Sequence, residues 1–368
     1  MKSKYSIAII PGDGVGKEVI PQAVEALKAC AQKNRFTLEF REIECGAEYY
    51  LKTGMEWDKD AFDRCKKTDA ILFGAVGLPQ VRLPTGESAG SGVIFGLRMG
   101  LDLYANVRPT KLYPKVMHRV SGKFCRVWDN VDFVIVRENT EGLYTPVRGS
   151  LARGGEEEIA IDTRVITRKG AERVVRFAFE LAKKRDGTPG DGTRRVTCVD
   201  KSNVLRGCQL FRKVFAEVGS NYPGIDKESL YVDTFALSIV REPERYDVAV
   251  TSNLMGDILT DLSAALQGGL GMAPSGNIGD NHGLFEPVHG SAPDIAGKDR
   301  ANPIGAILSA GMMLSWLGEK NRDKRLTGAA GEIESAVAEV IRQGKTTTPD
   351  IGGKSTCSST GRAVVDKI

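Results

Sequence analysis

The sequence predicts an α/β protein with a largely parallel sheet and about two domains. Short runs of β-forming residues alternate with helical patterns along most of the 368 residues, and this alternation is typical of parallel sheets covered by helices. The length also suits about two domains, at roughly 150 residues for each. Ligands of such folds bind beyond the carboxyl ends of the strands, so residues that follow a strand are the first candidates for function.

The predicted elements follow one another from the N-terminus. A first strand is predicted over 5–10 and a first helix over 18–32, where apolar residues recur at helical spacing. Further strands are predicted over 37–43, 70–73, 131–136, 195–200, 229–232 and 247–250. Further helices are predicted over 168–185, 207–218, 256–267 and 303–317, the last as a buried core helix. Segment 146–163 is interpreted as an arm, and loops are predicted over 185–195, 268–280 and 350–359.

Bulk properties restrict the possible functions. A net charge of +4 with 27% charged residues argues against a dedicated nucleic-acid binder or membrane-surface binder. The seven cysteines include no Cys-x-x-Cys pair, which predicts reduced thiols in a cytoplasmic protein, and the three histidines argue against a zinc site. We expect neither a signal peptide nor a transmembrane helix, because no apolar run is long enough.

Two aspartates four residues apart are the strongest candidates for a metal site. Asn253, a good helix-starting residue, follows the strand at 246–250. Asp257 and Asp261 should therefore share one helix face, where their like charges repel and where Mg²⁺ or Mn²⁺ would cancel the repulsion. A solvated acidic face is the commoner interpretation of an isolated pair, but the position beyond a strand end favours the metal site.

Arginines near predicted strand ends suit a substrate with two carboxylates. Arg98, Arg108 and Arg137 each carry a planar guanidinium that can bind a carboxylate through two hydrogen bonds. Tyr144 and Lys201 are candidate proton carriers, and Lys201 directly follows the strand at 195–200. The alternative for each arginine is a surface ion pair, and the alternative for Lys201 is a lysine whose charged end only reaches water.

Two glycine-containing loops give weaker signals. Residues 12–16, Gly-Asp-Gly-Val-Gly, lack the spacing of the dinucleotide fingerprint, so a tight turn and a nucleotide role carry equal weight. His289 lies in a loop at 286–294 with glycine and proline residues. That loop either presents backbone N–H groups to a ligand or is a simple turn.

Motifs along nearly the whole chain resemble those of metal-dependent β-decarboxylating dehydrogenases, the isocitrate/isopropylmalate dehydrogenase family, and are most similar to those of isopropylmalate dehydrogenases. The similar segments lie in the family's order at 11–16, 102–109, 137–144, 200–203, 231–233, 253–261 and 286–298. The resemblance implies the isopropylmalate dehydrogenase-like fold, which has two α/β domains and is not a Rossmann fold. The implied boundaries are 1–103 plus 268–368 for a larger cofactor-binding domain, 104–267 for a smaller dimerisation and substrate/metal domain, and about 146–163 for an interface arm.

The resemblance also implies roles for the candidate residues. The three arginines would bind substrate carboxylates, and Mg²⁺ or Mn²⁺ would be held by three aspartates, Asp233, Asp257 and Asp261. Lys201 would remove the proton of the substrate's 2-hydroxyl as hydride leaves, and Tyr144 would protonate the carbon that loses CO₂. In this family the equivalents of Lys201 and Asp233 come from the partner subunit, which implies a homodimer with shared active sites.

The implied cofactor site is the loop from 289 to 302. Its candidate contacts are His289, Gly290, Ser291, Ala292, Asp294 and Asn302. Asp294 stands where NADP-dependent relatives carry a lysine, and a carboxylate there would accept a hydrogen bond from the ribose 2′-hydroxyl and repel a 2′-phosphate. We therefore expect NAD.

Substrate choice rests on the residues before Arg98. Isocitrate dehydrogenases carry serine and asparagine where this chain has Gly92 and Ile94, whereas Ile94 and Phe95 match two leucines that contact the isopropyl group in isopropylmalate dehydrogenases. Ser91 stands where isopropylmalate dehydrogenases usually have a glutamate, so the chain departs from their pattern at this position. The expected reaction converts 3-isopropylmalate to 2-oxoisocaproate and CO₂, a step of leucine biosynthesis. Isocitrate, homoisocitrate, and tartrate or D-malate stay open as substrates, and a non-catalytic regulatory subunit is the alternative from a different class.

Overall fold

The computed structural model describes residues 2–116 and 131–368, so the histidine at 118 and the cysteine at 125 lie outside the described residues. The chain forms two compact units. Unit 1 is drawn from Met1–Leu103, Lys111–Asp129 and Ala264–Ile368, and unit 2 from Tyr104–Thr110 and Asn130–Ser263. Among the described residues, no helix has the length and apolarity needed to cross a membrane.

The helices and strands are numbered in chain order. The first part contains β1 (Lys4–Gly12), α1 (Gly16–Asn34), β2 (Thr37–Glu42), α2 (Ala47–Thr53), α3 (Ala61–Lys66), β3 (Ala70–Ala75) and α4 (Ser91–Gly100). The middle part contains β4 (Ala105–Lys111), β5 (Asp132–Glu138), β6 (Arg148–Arg153), β7 (Glu156–Asp162), α5 (Arg168–Lys184), β8 (Arg195–Asp200), α6 (Arg206–Gly219), β9 (Asp226–Tyr231), α7 (Val232–Arg241), β10 (Val248–Thr251) and α8 (Asn253–Leu266). The last part contains β11 (Pro274–Ile278), β12 (Gly283–Pro287), α9 (Ile304–Asn321), α10 (Lys324–Gln343) and α11 (Cys357–Val365).

Each unit is built on its own set of mostly parallel strands. The strand order in unit 1 is β2-β1-β3-β12-β11. Strand β1 pairs in parallel with β2 and β3, β12 pairs in parallel with β3, and β11 and β12 are antiparallel. The order in unit 2 is β4-β5-β10-β8-β9, where β10 lies parallel to β5 and β8, and β8 lies parallel to β9. The predicted α/β class with a largely parallel sheet is confirmed.

The cores of the two units come from helices packed on these strands. In unit 1, Ile307, Leu314 and Leu317 of α9 are fully buried among residues of α1 and α10, which confirms the predicted core helix at 303–317. A helix that is apolar on all sides is stable only inside a core. In unit 2, Phe179 of α5 stacks on Phe215 of α6 with ring centres 5.4 Å apart.

Two predicted loops are wrong or partly wrong. The segment 268–280 contains strand β11, whose Pro-Ser-Gly-Asn-Ile sequence has little β propensity. The strand forms because it pairs with β12. Gly276 leaves room for the ring of Phe285, since a Cβ at position 276 would lie 3.0 Å from that ring. The segment 350–359 is a loop only as far as Thr356, which caps α11 through a capping box with Ser359. The predicted arm region contains the antiparallel pair β6 and β7.

The glycine-rich segment at 12–16 forms a close-packed turn around a buried carboxylate. Asp13 is fully buried and accepts hydrogen bonds from the backbone N–H groups of Ala47 (2.8 Å), Glu48 (2.9 Å) and Gly77 (2.7 Å). Gly14 has φ +56°, and a Cβ there would lie 2.1 Å from the carbonyl oxygen of Ser291. This turn therefore holds the start of α2 and the loop after β12 in place.

Replacing Asp13 by alanine should destabilise the protein. Three backbone N–H groups lose their acceptor, and at about 1 kcal/mol for each lost bond the free energy of unfolding should fall by about 3 kcal/mol. Chemical denaturation followed by circular dichroism measures the change. Asp366→Ala is the matched control, since Asp366 is exposed at the end of α11, and its effect should stay within about 0.5 kcal/mol. Equal stability of the two variants would contradict the role of Asp13.

Candidate active site

The carboxylates of Asp257 and Asp261 lie on helix α8, just beyond the carboxyl end of strand β10. The four-residue spacing places both side chains on one helix face, as predicted. Burial raises the pKa of Asp261, and the neighbouring carboxylate of Asp257 raises it further, while the positive charge of Arg108 opposes both. The pair therefore needs positive charge or hydrogen-bond donors nearby to stay ionised.

Two of the predicted arginines supply that charge within unit 2. Arg137, at the carboxyl end of β5, is 1% exposed and forms an ion pair with Asp257. Arg108 of β4 donates to Asp261 at 3.3 Å and to the hydroxyl of Thr260 at 2.8 Å, and its Nη2 lies 3.8 Å from Asp257. Arg137 of β5 therefore contacts the first half of α8 and Arg108 of β4 contacts its second half.

Tyr144 joins the same cluster. Its hydroxyl donates to Oδ2 of Asp257 at 2.6 Å, and the guanidinium of Arg137 lies 5.5 Å from the centre of its ring. The loop before it is shaped by buried Glu138, which accepts hydrogen bonds from the backbone N–H groups of Thr140 and Glu141, both at 2.9 Å. Tyr144 is therefore held where it can exchange a proton with a group bound beside Asp257.

Lys201 and Asp233 form a separate pair in unit 2. The ammonium group of Lys201 donates to the Asp233 carboxylate, and this hydrogen bond lowers the pKa of Asp233. The turn that carries Lys201 is fixed by buried Asp200, which accepts from Nε (2.7 Å) and Nη2 (2.9 Å) of Arg212. Lys201 and Arg212 both lie near the ring of Tyr231, at 5.7 and 5.1 Å. Sequence reasoning did not identify Arg212 as a support for Lys201.

The donor set of α8 fits a hard divalent cation. Asp257 and Asp261 offer carboxylate oxygens, the ligands that Mg²⁺ and Mn²⁺ prefer. Within 2–116 and 131–368, no three His, Cys, Asp or Glu side chains of one chain are grouped closely enough to hold a metal ion. Asp233 is therefore not grouped with Asp257 and Asp261 within its own chain.

Arg98, the third predicted arginine, lies in the last turn of α4 in unit 1. Its Nη2 donates to Oε1 of Glu286 at 2.9 Å, and Asn277 donates to the same oxygen at 2.8 Å. Its Nε is buried without a hydrogen-bond partner among the described residues. One turn earlier, Ile94 packs against an apolar cluster of unit 1 and Phe95 is 41% exposed. Glu286 was not singled out from the sequence as a partner of Arg98.

The loop between β12 and α9 contains the residues predicted to bind a cofactor. His289 contacts the carbonyl oxygen of Gly290 through Nδ1 at 3.0 Å, and its Nε2 is buried without a partner in the described part of the chain. Burial lowers the pKa of His289, so the ring is neutral near pH 7. A neutral ring with one unsatisfied nitrogen fits a heterocyclic ligand such as a nucleobase, because that nitrogen can donate or accept a hydrogen bond.

Other residues of this loop hold its conformation. Ser291 donates to the carbonyl oxygen of Gly77 at 2.5 Å, and Ala292 adopts a positive φ of 40°. Asn302 donates to Asp350 at 2.9 Å and accepts from the N–H of Ile304 at 3.0 Å, so its side chain caps α9. Asp294 and Gly290 are exposed at the surface.

Comparison with known proteins assigns the chain to a family. The family model described as isocitrate/isopropylmalate dehydrogenase matches residues 6–367. The chain belongs to the isocitrate/isopropylmalate dehydrogenase family. Its sequence is 46% identical over 350 residues to the 3-isopropylmalate/3-methylmalate dehydrogenase of Methanocaldococcus jannaschii, covering 95% of this chain and 94% of that protein. It is 43% identical over 365 residues to the isocitrate/homoisocitrate dehydrogenase of Thermus thermophilus, covering 99% and 98%.

A solved structure supports the same assignment. The isocitrate dehydrogenase from Methylococcus capsulatus is similar with a TM-score of 0.86 and 35% sequence identity over 99% of both chains. The resemblance and the isopropylmalate dehydrogenase-like fold inferred from the motifs are thereby confirmed, and this member of the isocitrate/isopropylmalate dehydrogenase family is a β-decarboxylating dehydrogenase.

Proposed function

We propose that this chain is an NAD-dependent and divalent-metal-dependent enzyme that oxidises and decarboxylates 3-isopropylmalate, releasing 2-oxoisocaproate and CO₂. The observation that carries the proposal is the cluster in unit 2, where Tyr144 and Arg137 both contact the Asp257 carboxylate. A proton carrier, a carboxylate-binding cation and a metal-type ligand are thus in contact within one chain. A regulatory subunit without catalysis would have no need of all three.

Each side chain has a defined task in that reaction. Arg108 and Arg137 bind the substrate's carboxylates. Lys201 accepts the proton of the 2-hydroxyl, and Tyr144 donates a proton to the carbon from which CO₂ departs. A cation bound by Asp257, Asp261 and the Asp233 of a second copy would supply a Lewis acid beside the 2-hydroxyl. The Tyr144 hydroxyl donates a hydrogen bond to the Asp257 carboxylate, as a proton donor should. Lys201 accepts a proton only as the neutral amine, so it must first give up the proton with which it binds Asp233.

Exposed apolar side chains of unit 2 support a homodimer. Leu237 of α7 and Ile258 of α8 are 60% and 63% exposed, and Leu151 and Ile161 of the β6–β7 arm are 51% and 59% exposed. Large apolar side chains grouped on helices and on an arm mark a surface that a second chain covers. In such a dimer, Lys201 and Asp233 would serve the site of the partner.

The residues around α4 support an aliphatic substrate. Gly92 has no side chain that could hydrogen-bond a further carboxylate, while Ile94 and Phe95 offer apolar surface. Several relatives carry the name 3-isopropylmalate dehydrogenase. Isocitrate or homoisocitrate is the second candidate substrate, favoured by the name of the relative from Thermus thermophilus.

The loop after β12 supports NAD. The unsatisfied Nε2 of His289 suits an adenine ring, and the exposed carboxylate of Asp294 would repel the 2′-phosphate of NADP. The same carboxylate can accept a hydrogen bond from the ribose 2′-hydroxyl of NAD.

The substrate should be identified by kcat/KM for 3-isopropylmalate, isocitrate, homoisocitrate, D-malate and tartrate with Mn²⁺ and NAD. We expect 3-isopropylmalate to be preferred by about tenfold or more, or about 1.4 kcal/mol in transition-state binding. Phe95→Ala should lower kcat/KM for 3-isopropylmalate more than for D-malate, which has no branch to contact the ring. Leu51→Ala removes an apolar side chain that is 66% exposed on α2 and is the control. A preference for isocitrate of about tenfold would overturn the substrate assignment.

Shared active sites can be tested with defined heterodimers. Two differently tagged chains, one with Lys201→Ala and one with Asp257→Asn, should each be inactive as homodimers. A tandem-purified heterodimer of the two contains one intact site if Lys201 crosses to the partner, so its turnover should be about half that of the wild type.

The control heterodimer places both substitutions on one chain and pairs it with a wild-type chain. With shared sites this protein has a defect in each site and should be inactive. The reverse pattern, with activity only in the control, would show that Lys201 and Asp257 act within one chain and would contradict the proposal.

A further inference from the structure

We propose that Asn253 is a positioning residue of the reaction, which fixes the substrate-binding guanidinium of Arg137 and the loop carrying Tyr144 relative to each other. This inference rests on the proposed function and goes beyond it, because Asn253 is neither a metal ligand nor a proton carrier. Asn253 is the first residue of α8 and is 1% exposed. The helix that bears Asp257 and Asp261 therefore begins with the residue that aligns Arg137 and the loop of Tyr144.

The side-chain oxygen of Asn253 orients Arg137. Oδ1 accepts hydrogen bonds from Nε at 2.9 Å and from Nη2 at 2.7 Å, so one edge of the guanidinium is fixed in its plane. Gly256, one turn into α8, allows this approach, because a Cβ there would lie 2.6 Å from Cγ of Arg137. The other side of the guanidinium is left directed at Asp257, with which it pairs.

The side-chain nitrogen of Asn253 holds the loop of Tyr144. Nδ2 donates to the carbonyl oxygen of Glu141 at 2.8 Å. The next residue, Gly142, has φ +88°, and a Cβ there would lie 2.9 Å from Cβ of Asn253. Gly142 is also bound to Val165 through reciprocal backbone hydrogen bonds of 2.9 and 3.1 Å. The loop is thus clamped between Asn253 and Val165, two residues before Tyr144.

Only an asparagine meets both requirements at this position. The Arg137 side needs an acceptor and the Glu141 side needs a donor, and the asparagine amide carries one of each on a short side chain. Aspartate keeps the acceptor and loses the donor, and its charge would face the Glu141 carbonyl oxygen. Alanine loses both. The two substitutions therefore separate the effect on Arg137 from the effect on the Tyr144 loop.

The test compares Asn253→Ala and Asn253→Asp with the wild type in steady-state kinetics, in H₂O and in D₂O, using 3-isopropylmalate, NAD and Mn²⁺. Asn253→Ala should raise KM for the acid by about tenfold, because Arg137 loses its orientation, and should lower kcat. Asn253→Asp should keep KM within about threefold of the wild type and still lower kcat. In both variants the solvent isotope effect on kcat should increase, because proton donation by a displaced Tyr144 becomes slower.

Hydrogen exchange gives a second measurement that does not depend on turnover. Backbone amides at 140–145 should exchange faster in both Asn253 variants than in the wild type. Asn34→Ala is the matched control, since Asn34 also bonds a carbonyl oxygen, that of Cys30 at 3.1 Å, but lies at the end of α1 in unit 1. It should leave KM, the isotope effect and exchange at 140–145 unchanged.

A purely structural role for Asn253 would lower the folded fraction, and thus kcat, without changing KM or the isotope effect. That outcome would overturn the proposal, as would a KM in Asn253→Asp as high as in Asn253→Ala, or unchanged exchange at 140–145. If the wild type turns over none of the acids, the proposed function fails. Exchange at 140–145 would then still decide whether Asn253 holds the loop.

Discussion

The buried guanidinium of Arg137 is the charge on which the site in unit 2 depends. A cation that is 1% exposed is stable only when its charge and its N–H groups are matched, because desolvation of an unpaired ion costs several kcal/mol. Asp257 supplies the opposite charge and Asn253 supplies the acceptors. Both partners belong to α8, so the position at which that helix starts after β10 is set by the need to satisfy Arg137. The groups that we propose to be catalytic are thus arranged by the same contacts that make the fold stable.

In unit 1 a buried anion has the structural role that the buried Arg137 cation has in unit 2. The fully buried carboxylate of Asp13 accepts hydrogen bonds from three backbone N–H groups in two segments, the start of α2 and the loop after β3. The turn at Gly14 then supports Ser291 in the loop that we assign to NAD. In both units a buried charged side chain fixes the loops that follow strands, and those loops carry the candidate binding residues. A rigid support of this kind reduces the entropy lost when ligands bind.

The helices and strands that can be predicted from the sequence are those with a local signal in their own residues. Strands at 5–10, 195–200 and 247–250 were found because apolar β-forming runs are local signals, and the start of α8 at Asn253 was found from its capping chemistry. Strand β11 was missed because it depends on pairing with β12. Asp257, Tyr144 and Arg137 are predicted as site residues, whereas the contacts of Asn253 with Arg137 and of Glu286 with Arg98 are not, since these pairs are 116 and 188 residues apart in the chain. Sequence patterns that span a few residues do not indicate contacts between residues so far apart in the chain.

We propose that the paired carboxylates of α8 bind a catalytic divalent cation. Equilibrium binding of Mn²⁺ to the full chain, followed by electron paramagnetic resonance without substrate or NAD, measures this directly. We expect about one ion per chain and at least about tenfold weaker binding after Asp257→Asn, because one charged oxygen ligand is lost. Asp366→Asn, at an exposed site in unit 1, should leave the affinity unchanged. Equal Mn²⁺ affinity in the wild type and Asp257→Asn would show that these carboxylates do not bind the cation.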